Sequence, residues 1–166
     1  MGGSILDGKK ILAVDDEPDV LTVLQAEIAD ACPNCTIDKA TTYEEAVKKL
    51  ETGTYDVAVL DIMGVRGFDL LELAVKKHLR VAMLTAHALT PEALKRSHDM
   101  GARAYLPKDK LGEIAPFLED ILQYGFEPGW KRLFEKLHDF FTDKFESDWE
   151  KETGMNWREW GKISDS

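Results

Sequence analysis

The chain has 166 residues, of which 44% are hydrophobic and 31% are charged, a composition that is typical of globular proteins. Its formal net charge of -10 argues against nonspecific nucleic-acid binding, which needs clustered lysine and arginine. No apolar run reaches the ~20 residues of a membrane-spanning helix, and Met1-Gly2-Gly3-Ser4 lacks the features of a signal peptide. We therefore expect a cytoplasmic protein without membrane insertion.

Strand-like and helix-like patterns alternate five times along the chain. The predicted strands are residues 10–14, 36–40, 56–60, 81–84 and 103–106. Helix-start signals follow several of them, such as Pro18 after Glu17 and Pro91 after Thr90. The third and fourth strands are nearly continuous apolar runs, which suit strands buried on both faces of a parallel sheet. This alternation predicts a doubly wound α/β fold with a five-stranded parallel sheet and helices on both faces.

Chemically active residues follow these apolar runs. Asp15 and Asp16 end the first, Asp61 the third, Thr85 the fourth and Lys108 the fifth. The carboxyl ends of parallel strands meet at one edge, where open α/β sheets bind ligands. Three adjacent carboxylates repel one another unless a cation joins them, and Mg²⁺ is the hard, oxygen-preferring ion that fits best. A carboxylate beside it could attack phosphorus and form an aspartyl phosphate.

At these residues the chain resembles the receiver domain of bacterial two-component response regulators, which has a flavodoxin-like fold. The resemblance covers about residues 8–124, and its four motifs occur in the family's order and approximate spacing. The matching segments are residues 11–18, 59–63, 84–86 and 102–108. Each motif alone is a weak signal, but the four together are specific.

The resemblance implies a role for each acidic residue. Asp61 corresponds to the phosphoacceptor, which takes a phosphoryl group from a histidine of a sensor histidine kinase or phosphotransfer protein. Asp16 would bind Mg²⁺ directly and Asp15 largely through water, and the backbone carbonyl of Met63 would complete the protein ligands. The chain would then be a signalling protein rather than an enzyme, apart from self-phosphorylation and autodephosphorylation.

The resemblance also implies roles around the phosphoryl group. Thr85 and Lys108 would contact it, and small Ala86 would leave room for it. Tyr105 matches the family's switch aromatic, whose inward or outward rotamer follows a shift of Thr85 and its loop. His87 would modulate the access of the hydrolytic water.

Two positions depart from the family pattern. The family usually has a proline a few residues after the phosphoacceptor, whereas here Gly64-Val65-Arg66-Gly67 is proline-free and the loop is about two residues shorter. Glycine allows a tighter backbone path, so we expect a rebuilt loop that keeps the Met63 carbonyl. Asp109 replaces the proline that usually follows the lysine through a cis bond, which makes a cis peptide improbable here.

Other interpretations of the same residues remain open at this point. Asp15 and Asp16 could only cap the first helix, and Tyr105 could only pack in the core. An α/β phosphohydrolase would use Asp61 as its nucleophile, but such enzymes usually carry a second acid two residues later, where this chain has Met63. A scaffold that never needs phosphate is a third possibility.

The two cysteines form Cys32-Pro33-Asn34-Cys35, which superficially matches a redox motif. A reactive pair normally lies at a helix N-terminus, where the dipole favours the thiolate. This pair follows the predicted end of a helix instead. We therefore expect reduced loop cysteines without a redox function.

Residues 126–166 differ from the preceding residues 1–125 and contain all four tryptophans and five of the seven phenylalanines. A helix is predicted from Pro128 to a break at Gly154, with Trp157 and Trp160 in a short final segment. Its apolar positions are spaced by threes and fours. We call them the aromatic stripe: Trp130, Leu133, Phe134, Leu137, Phe141, Phe145 and Trp149.

A large apolar face is generally buried or used for interaction. The stripe could dock on the chain's own receiver, pair with a second copy in a homodimer, or bind a partner protein. A membrane-surface helix is disfavoured because the polar face is not rich in lysine or arginine. We expect a noncatalytic tail without a DNA-binding output, and a phosphorylation switch at Asp61 that reaches it.

Overall fold

The computed structural model, which describes residues 5–86, 89–145 and 149–154, contains one parallel sheet with the strand order β2-β1-β3-β4-β5. The strands are β1 (Lys10–Val14), β2 (Thr36–Ala40), β3 (Val57–Asp61), β4 (Arg80–Thr85) and β5 (Ala104–Pro107). The helices are α1 (Pro18–Ala31), α2 (Tyr43–Thr52), α3 (Gly67–Lys76), α4 (Pro91–Asp99), α5 (Ile114–Gln123), α6 (Phe126–Lys144) and α7 (Trp149–Thr153). Helix α1 packs beside α5, and α2 packs beside α3. The predicted doubly wound α/β fold is confirmed.

Sequence pattern and burial agree closely in the centre of the sheet. Every residue of β3 is buried, as are five of the six residues of β4, as expected for strands covered on both faces. The register places Asp61 beside Leu84 and Thr85 beside Pro107. The ends of β3, β4 and β5 therefore lie next to one another at one edge of the sheet.

Two successive helical segments follow β5. A 3₁₀ helix (Lys108–Glu113) comes first, and α5 begins only at Ile114. Glu113, the N-cap residue of α5, has non-helical backbone angles (φ -117°, ψ 19°), which separate the two segments. The described part of the chain contains no cis peptide bond, so the Lys108–Asp109 link is trans, as expected.

The surroundings of the two cysteines favour a structural role over a redox role. Cys32 is the C-cap residue of α1, and the thiol of Cys35 lies 2.9 Å from the carbonyl oxygen of Leu6. Burial, reinforced by the neighbouring Cys32, raises the pKa of Cys35 to about 12. Both cysteines are free. A thiol with so high a pKa is protonated at neutral pH and therefore a poor nucleophile.

The predicted single tail helix is wrong, because the tail forms two helices. Helix α6 starts at Phe126 and ends at Lys144, where Phe145 leaves helical geometry (φ -90°, ψ 45°). The short helix α7 follows, and Gly154 with φ +69° lies directly after it. Trp157 and Trp160 lie outside the described residues. Within the described residues, no helix is both long enough and apolar enough to cross a bilayer.

The aromatic stripe is buried against the chain's own receiver, and each of its residues is at most 4% exposed. Helix α6 packs on β5 and α5, and α7 packs on α4. The indole N–H of Trp130 donates a 2.9 Å hydrogen bond to the carbonyl oxygen of Ala102. The Trp149 ring lies 5.7 Å from those of Phe134 and Phe141. Of the alternatives for the stripe, the structure shows docking on the same chain.

Two ion pairs join α5 to α6. Asp120 of α5 is 2.7 Å from Lys136 and 3.2 Å from Arg132, both on α6. Partly exposed pairs of this kind contribute about 0–1 kcal/mol each. Apolar burial and the Trp130 hydrogen bond therefore account for most of the docking energy.

We predict that Trp130→Ala lowers the free energy of unfolding by about 3–5 kcal/mol, since it opens a large cavity beneath α6. The measurement is urea denaturation followed by circular dichroism. Glu135→Ala on the exposed side of α6 is the control and changes stability by less than about 0.5 kcal/mol. Equal stability of the two variants would contradict a docked tail.

Candidate functional site

Three carboxylates converge at the carboxyl edge of the sheet. Asp15 and Asp16 follow β1, and Asp61 ends the adjacent β3. One oxygen from each of the three lies within 4.8 Å of the others. Asp15 and Asp61 are buried, whereas Asp16 is exposed. The structure thus brings together the acidic residues that the sequence singled out.

Lys108 is the cation that faces these acids. Its Nζ lies 2.9 Å from Asp15 Oδ2, 3.4 Å from Asp61 Oδ1 and 3.6 Å from Glu17 Oε1. Burial lowers the pKa of Lys108, but the contacts with Asp15 and Asp61 outweigh it and the net pKa is raised. The ammonium therefore stays charged beside the carboxylates.

The electrostatic balance of the cluster is negative. Burial raises the pKa values of both Asp15 and Asp61, and Lys108 only partly offsets it. The three carboxylates of the cluster outnumber this one ammonium, which contacts Asp15 and Asp61 directly. The donor set of oxygens with excess negative charge fits a hard divalent cation such as Mg²⁺.

Helix capping does not account for these acids. The N-cap residue of α1 is Glu17, and its side chain makes no capping hydrogen bond. Asp15 Oδ1 accepts the Glu17 N–H at 2.9 Å, which uses only one of its two oxygens. Asp15 therefore has a local structural role and, in addition, a second oxygen directed at Lys108.

The glycine-rich loop after Asp61 is built tightly against the acids. The Gly64 N–H donates to Asp61 Oδ2 at 3.1 Å. A Cβ on Gly64 would lie 2.1 Å from Asp16 Oδ1, and one on Gly67 would lie 2.2 Å from the Asp61 carbonyl oxygen. Gly67 is therefore required by close approach to the backbone, whereas a side chain at position 64 would force the exposed Asp16 carboxylate to move. The Met63 side chain is 61% exposed, and the role of its carbonyl as a ligand stays a prediction.

Thr85 and Tyr105 belong to the two strands beside β3. Thr85 is buried at the end of β4, and Ala86 follows it on the surface. Tyr105 is fully buried in β5, and its hydroxyl accepts the Thr90 N–H at 3.1 Å. His87 lies outside the described residues.

Two features of the site were not predicted from the sequence. One is the contact of Gly64 with Asp16, although the proline-free loop with two glycines signals an unusual backbone path. The other is the Phe141 ring of α6, which lies 5.9 Å from the Tyr105 ring. Helical periodicity marks Phe141 as buried but cannot say what it is buried against.

Residues 11–115 match the family described as response regulator receiver domain, and the chain belongs to that family. It is 31% identical over 125 residues to the transcriptional regulatory protein TcrA of Mycobacterium tuberculosis. The match covers 72% of this chain and 48% of TcrA, so the chain spans about half the length of this curated relative.

Two solved receiver structures illustrate the similarity. The CheY-like receiver domain protein of Methanospirillum hungatei is 27% identical with a TM-score of 0.58, covering 70% of this chain and 98% of the other. The response regulator TrrA of Thermotoga maritima, solved in complex with Mg²⁺ and BeF, is 31% identical with a TM-score of 0.59. That match covers 69% of this chain and 99% of TrrA.

We predict that Gly64→Ala weakens Mg²⁺ binding by about 10–100-fold, the usual cost of disturbing residues that orient metal ligands. The new methyl group would displace the Asp16 carboxylate. Calorimetric titration with Mg²⁺ measures the change. Gly112→Ala, whose Cβ would meet nothing within 4 Å, is the matched control. An unchanged Mg²⁺ affinity in Gly64→Ala would show that Asp16 is not a ligand.

Proposed function

We propose that this receiver accepts a phosphoryl group on Asp61 in a Mg²⁺-dependent reaction with a phosphorylated histidine of a sensor histidine kinase or phosphotransfer protein. The observation that carries the proposal is the buried Asp61 carboxylate. It lies 3.4 Å from the Lys108 ammonium and within 4.8 Å of two further carboxylates. Such positioning and charge neutralisation are what phosphoryl transfer requires.

In this reaction an oxygen of Asp61 attacks phosphorus, and the bond from phosphorus to the donor's imidazole nitrogen breaks. The electron pair leaves with the imidazole, and the product is an aspartyl phosphate. The Gly64 N–H holds Asp61 Oδ2, while Lys108 neutralises a phosphoryl oxygen and Thr85 donates to another.

Asp15, Asp16 and Asp61, with the Met63 carbonyl, would hold the Mg²⁺. The ion supplies charge neutralisation to the phosphoryl oxygens when bound. Ala86 leaves room beside Thr85 for the phosphoryl group, and His87 modulates access of the hydrolytic water. The chain is not an enzyme in this proposal beyond self-phosphorylation and autodephosphorylation. The non-acidic, exposed side chain of Met63 supports this over a phosphohydrolase, which needs a second acid at that position.

We also propose that the output is a protein–protein contact rather than DNA binding, in the cytoplasm. The net charge of -10 and the docked aromatic stripe support this. Because the stripe is buried, a homodimer or a partner complex formed through it requires the tail to leave the receiver. In this proposal the phosphoryl donor approaches the solvent-exposed side of α1 and the exposed Met63, and the docked stripe does not need to leave the receiver.

We predict that acetyl phosphate with Mg²⁺ adds one phosphoryl group per chain to the wild type and none to Asp61→Asn. Asp61 is the attacking group, so an amide there removes the nucleophile. Intact-mass and peptide mass spectrometry measure the stoichiometry and the position. Asp69→Asn, which changes an exposed aspartate paired with Arg66, is the control and takes phosphate normally.

Two results would contradict the proposal. Phosphate on Asp61→Asn at wild-type level would exclude Asp61 as the acceptor. Continuous hydrolysis of small phosphate esters in excess over protein would favour the phosphohydrolase.

A further inference from the structure

Two contacts hold the Tyr105 side chain, one at its hydroxyl and one at its ring. Its hydroxyl accepts the Thr90 N–H at 3.1 Å and lies 3.4 Å from the Thr90 carbonyl oxygen. Its ring lies 5.9 Å from the ring of Phe141 on α6, and both side chains are fully buried. Burial raises the pKa of the Tyr105 hydroxyl, so it is neutral and can both accept and donate. The tail therefore contacts Tyr105, the same side chain whose hydroxyl binds the Thr90 backbone just before α4.

Phe141 is itself fixed by the rest of the tail. Its ring is stacked on Phe145 at 5.2 Å and makes edge contacts with Trp149 at 5.7 Å and Phe134 at 6.2 Å. Aromatic pairs in these arrangements are favourable beyond their simple burial. Because α7 folds back to supply Trp149, the position of Phe141 depends on both tail helices.

The contacts of Phe141 and Tyr105 extend, through Thr90 and β5, towards the proposed phosphoryl site. Thr85 precedes the loop that ends at Thr90, and the Thr90 side chain caps α4 by accepting the Ala93 N–H at 3.1 Å. Tyr105 also lies on β5 only three residues before Lys108. A shift of Tyr105 would therefore disturb Thr90, five residues after Thr85, and the strand that leads into Lys108.

We propose that Phe141 is a positioning residue for phosphoryl acceptance. The docked tail keeps Tyr105 buried with its hydroxyl on Thr90, and this holds β5 and the start of α4 in the arrangement that favours phosphoryl acceptance. The inference rests on the proposed function of Asp61. By thermodynamic linkage, a phosphoryl group on Asp61 must stabilise the docked tail by the same factor as the tail strengthens phosphoryl binding.

The test uses the full chain, with Mg²⁺ and beryllium fluoride as the phosphoryl mimic. Phe141→Leu is expected to weaken its binding by about fivefold or more, the lower range of allosteric coupling. Exchange of the Thr90 amide hydrogen should be faster in this variant, because that amide donates to Tyr105. Phe126→Leu is the matched control on the same helix, since the Phe126 ring contacts His98 and Trp130. It should bind the mimic like the wild type.

A double-mutant cycle separates positioning from general loosening of the tail. Tyr105→Phe keeps the ring but removes the hydroxyl that contacts Thr90. If Phe141 acts through that hydroxyl, Phe141→Leu has a smaller effect on mimic binding in the Tyr105→Phe background than in the wild type. If the two substitutions weaken mimic binding by independent factors, Phe141 does not act through the Tyr105 hydroxyl, and the proposed route is wrong.

One measurement needs no variant. Binding of the mimic to the wild type should slow hydrogen exchange in α6 around Phe141, and unchanged protection there would overturn the coupling. Equal or tighter mimic binding by Phe141→Leu would do the same. A wild type that binds the mimic while Phe141→Leu matches Phe126→Leu refutes the inference alone. A wild type that neither binds the mimic nor takes phosphate refutes the proposed function as well.

Discussion

The repulsion among three clustered carboxylates, two of which contact Lys108, is the constraint on which the site depends. Asp15 and Asp61 are buried at adjoining strand ends, so water cannot screen their charges well. The Lys108 ammonium offsets part of this charge and leaves an excess of negative charge that suits a divalent cation. The loop after Asp61 follows from the same crowding, because Gly64 passes where a methyl group would strike Asp16. Its glycines preserve the acid cluster without the family's proline.

Strand β5 connects this site to the tail. It carries Tyr105, whose ring meets Phe141, and it ends directly before Lys108, which faces Asp61. The tail docks mainly through apolar burial, and Trp130 adds a hydrogen bond to the backbone beside that strand. An element held mainly by packing can respond to a small change in the strand beneath it. The two tail helices, α6 and α7, thus cover the side of the receiver where the Phe141 ring lies near Tyr105.

Much of the receiver could be predicted from the sequence, because its signals are local. The apolar runs gave the five strands to within a residue or two, and acids or a lysine directly after them predicted the edge where the site lies. The sequence predicts a rebuilt loop after Asp61, but the approach of Gly64 to Asp16 depends on the backbone path in three dimensions. The tail was predicted less well. The spacing of apolar residues by threes and fours continues past Phe145 and predicts one helix. The backbone nevertheless leaves helical geometry at Phe145, and α7, which carries Trp149, packs on α4.

By itself, the sequence determined the doubly wound fold, the acid cluster with Lys108, and the burial of the aromatic stripe. Each follows from periodicity or from the residue at a strand end, which neighbouring positions reveal. Only the tertiary structure decided that the stripe covers its own receiver, that α7 folds onto α4, and that Phe141 meets Tyr105. Apolar burial has no direction, so a hydrophobic face specifies that it must be covered and leaves its partner to the packing of the whole chain.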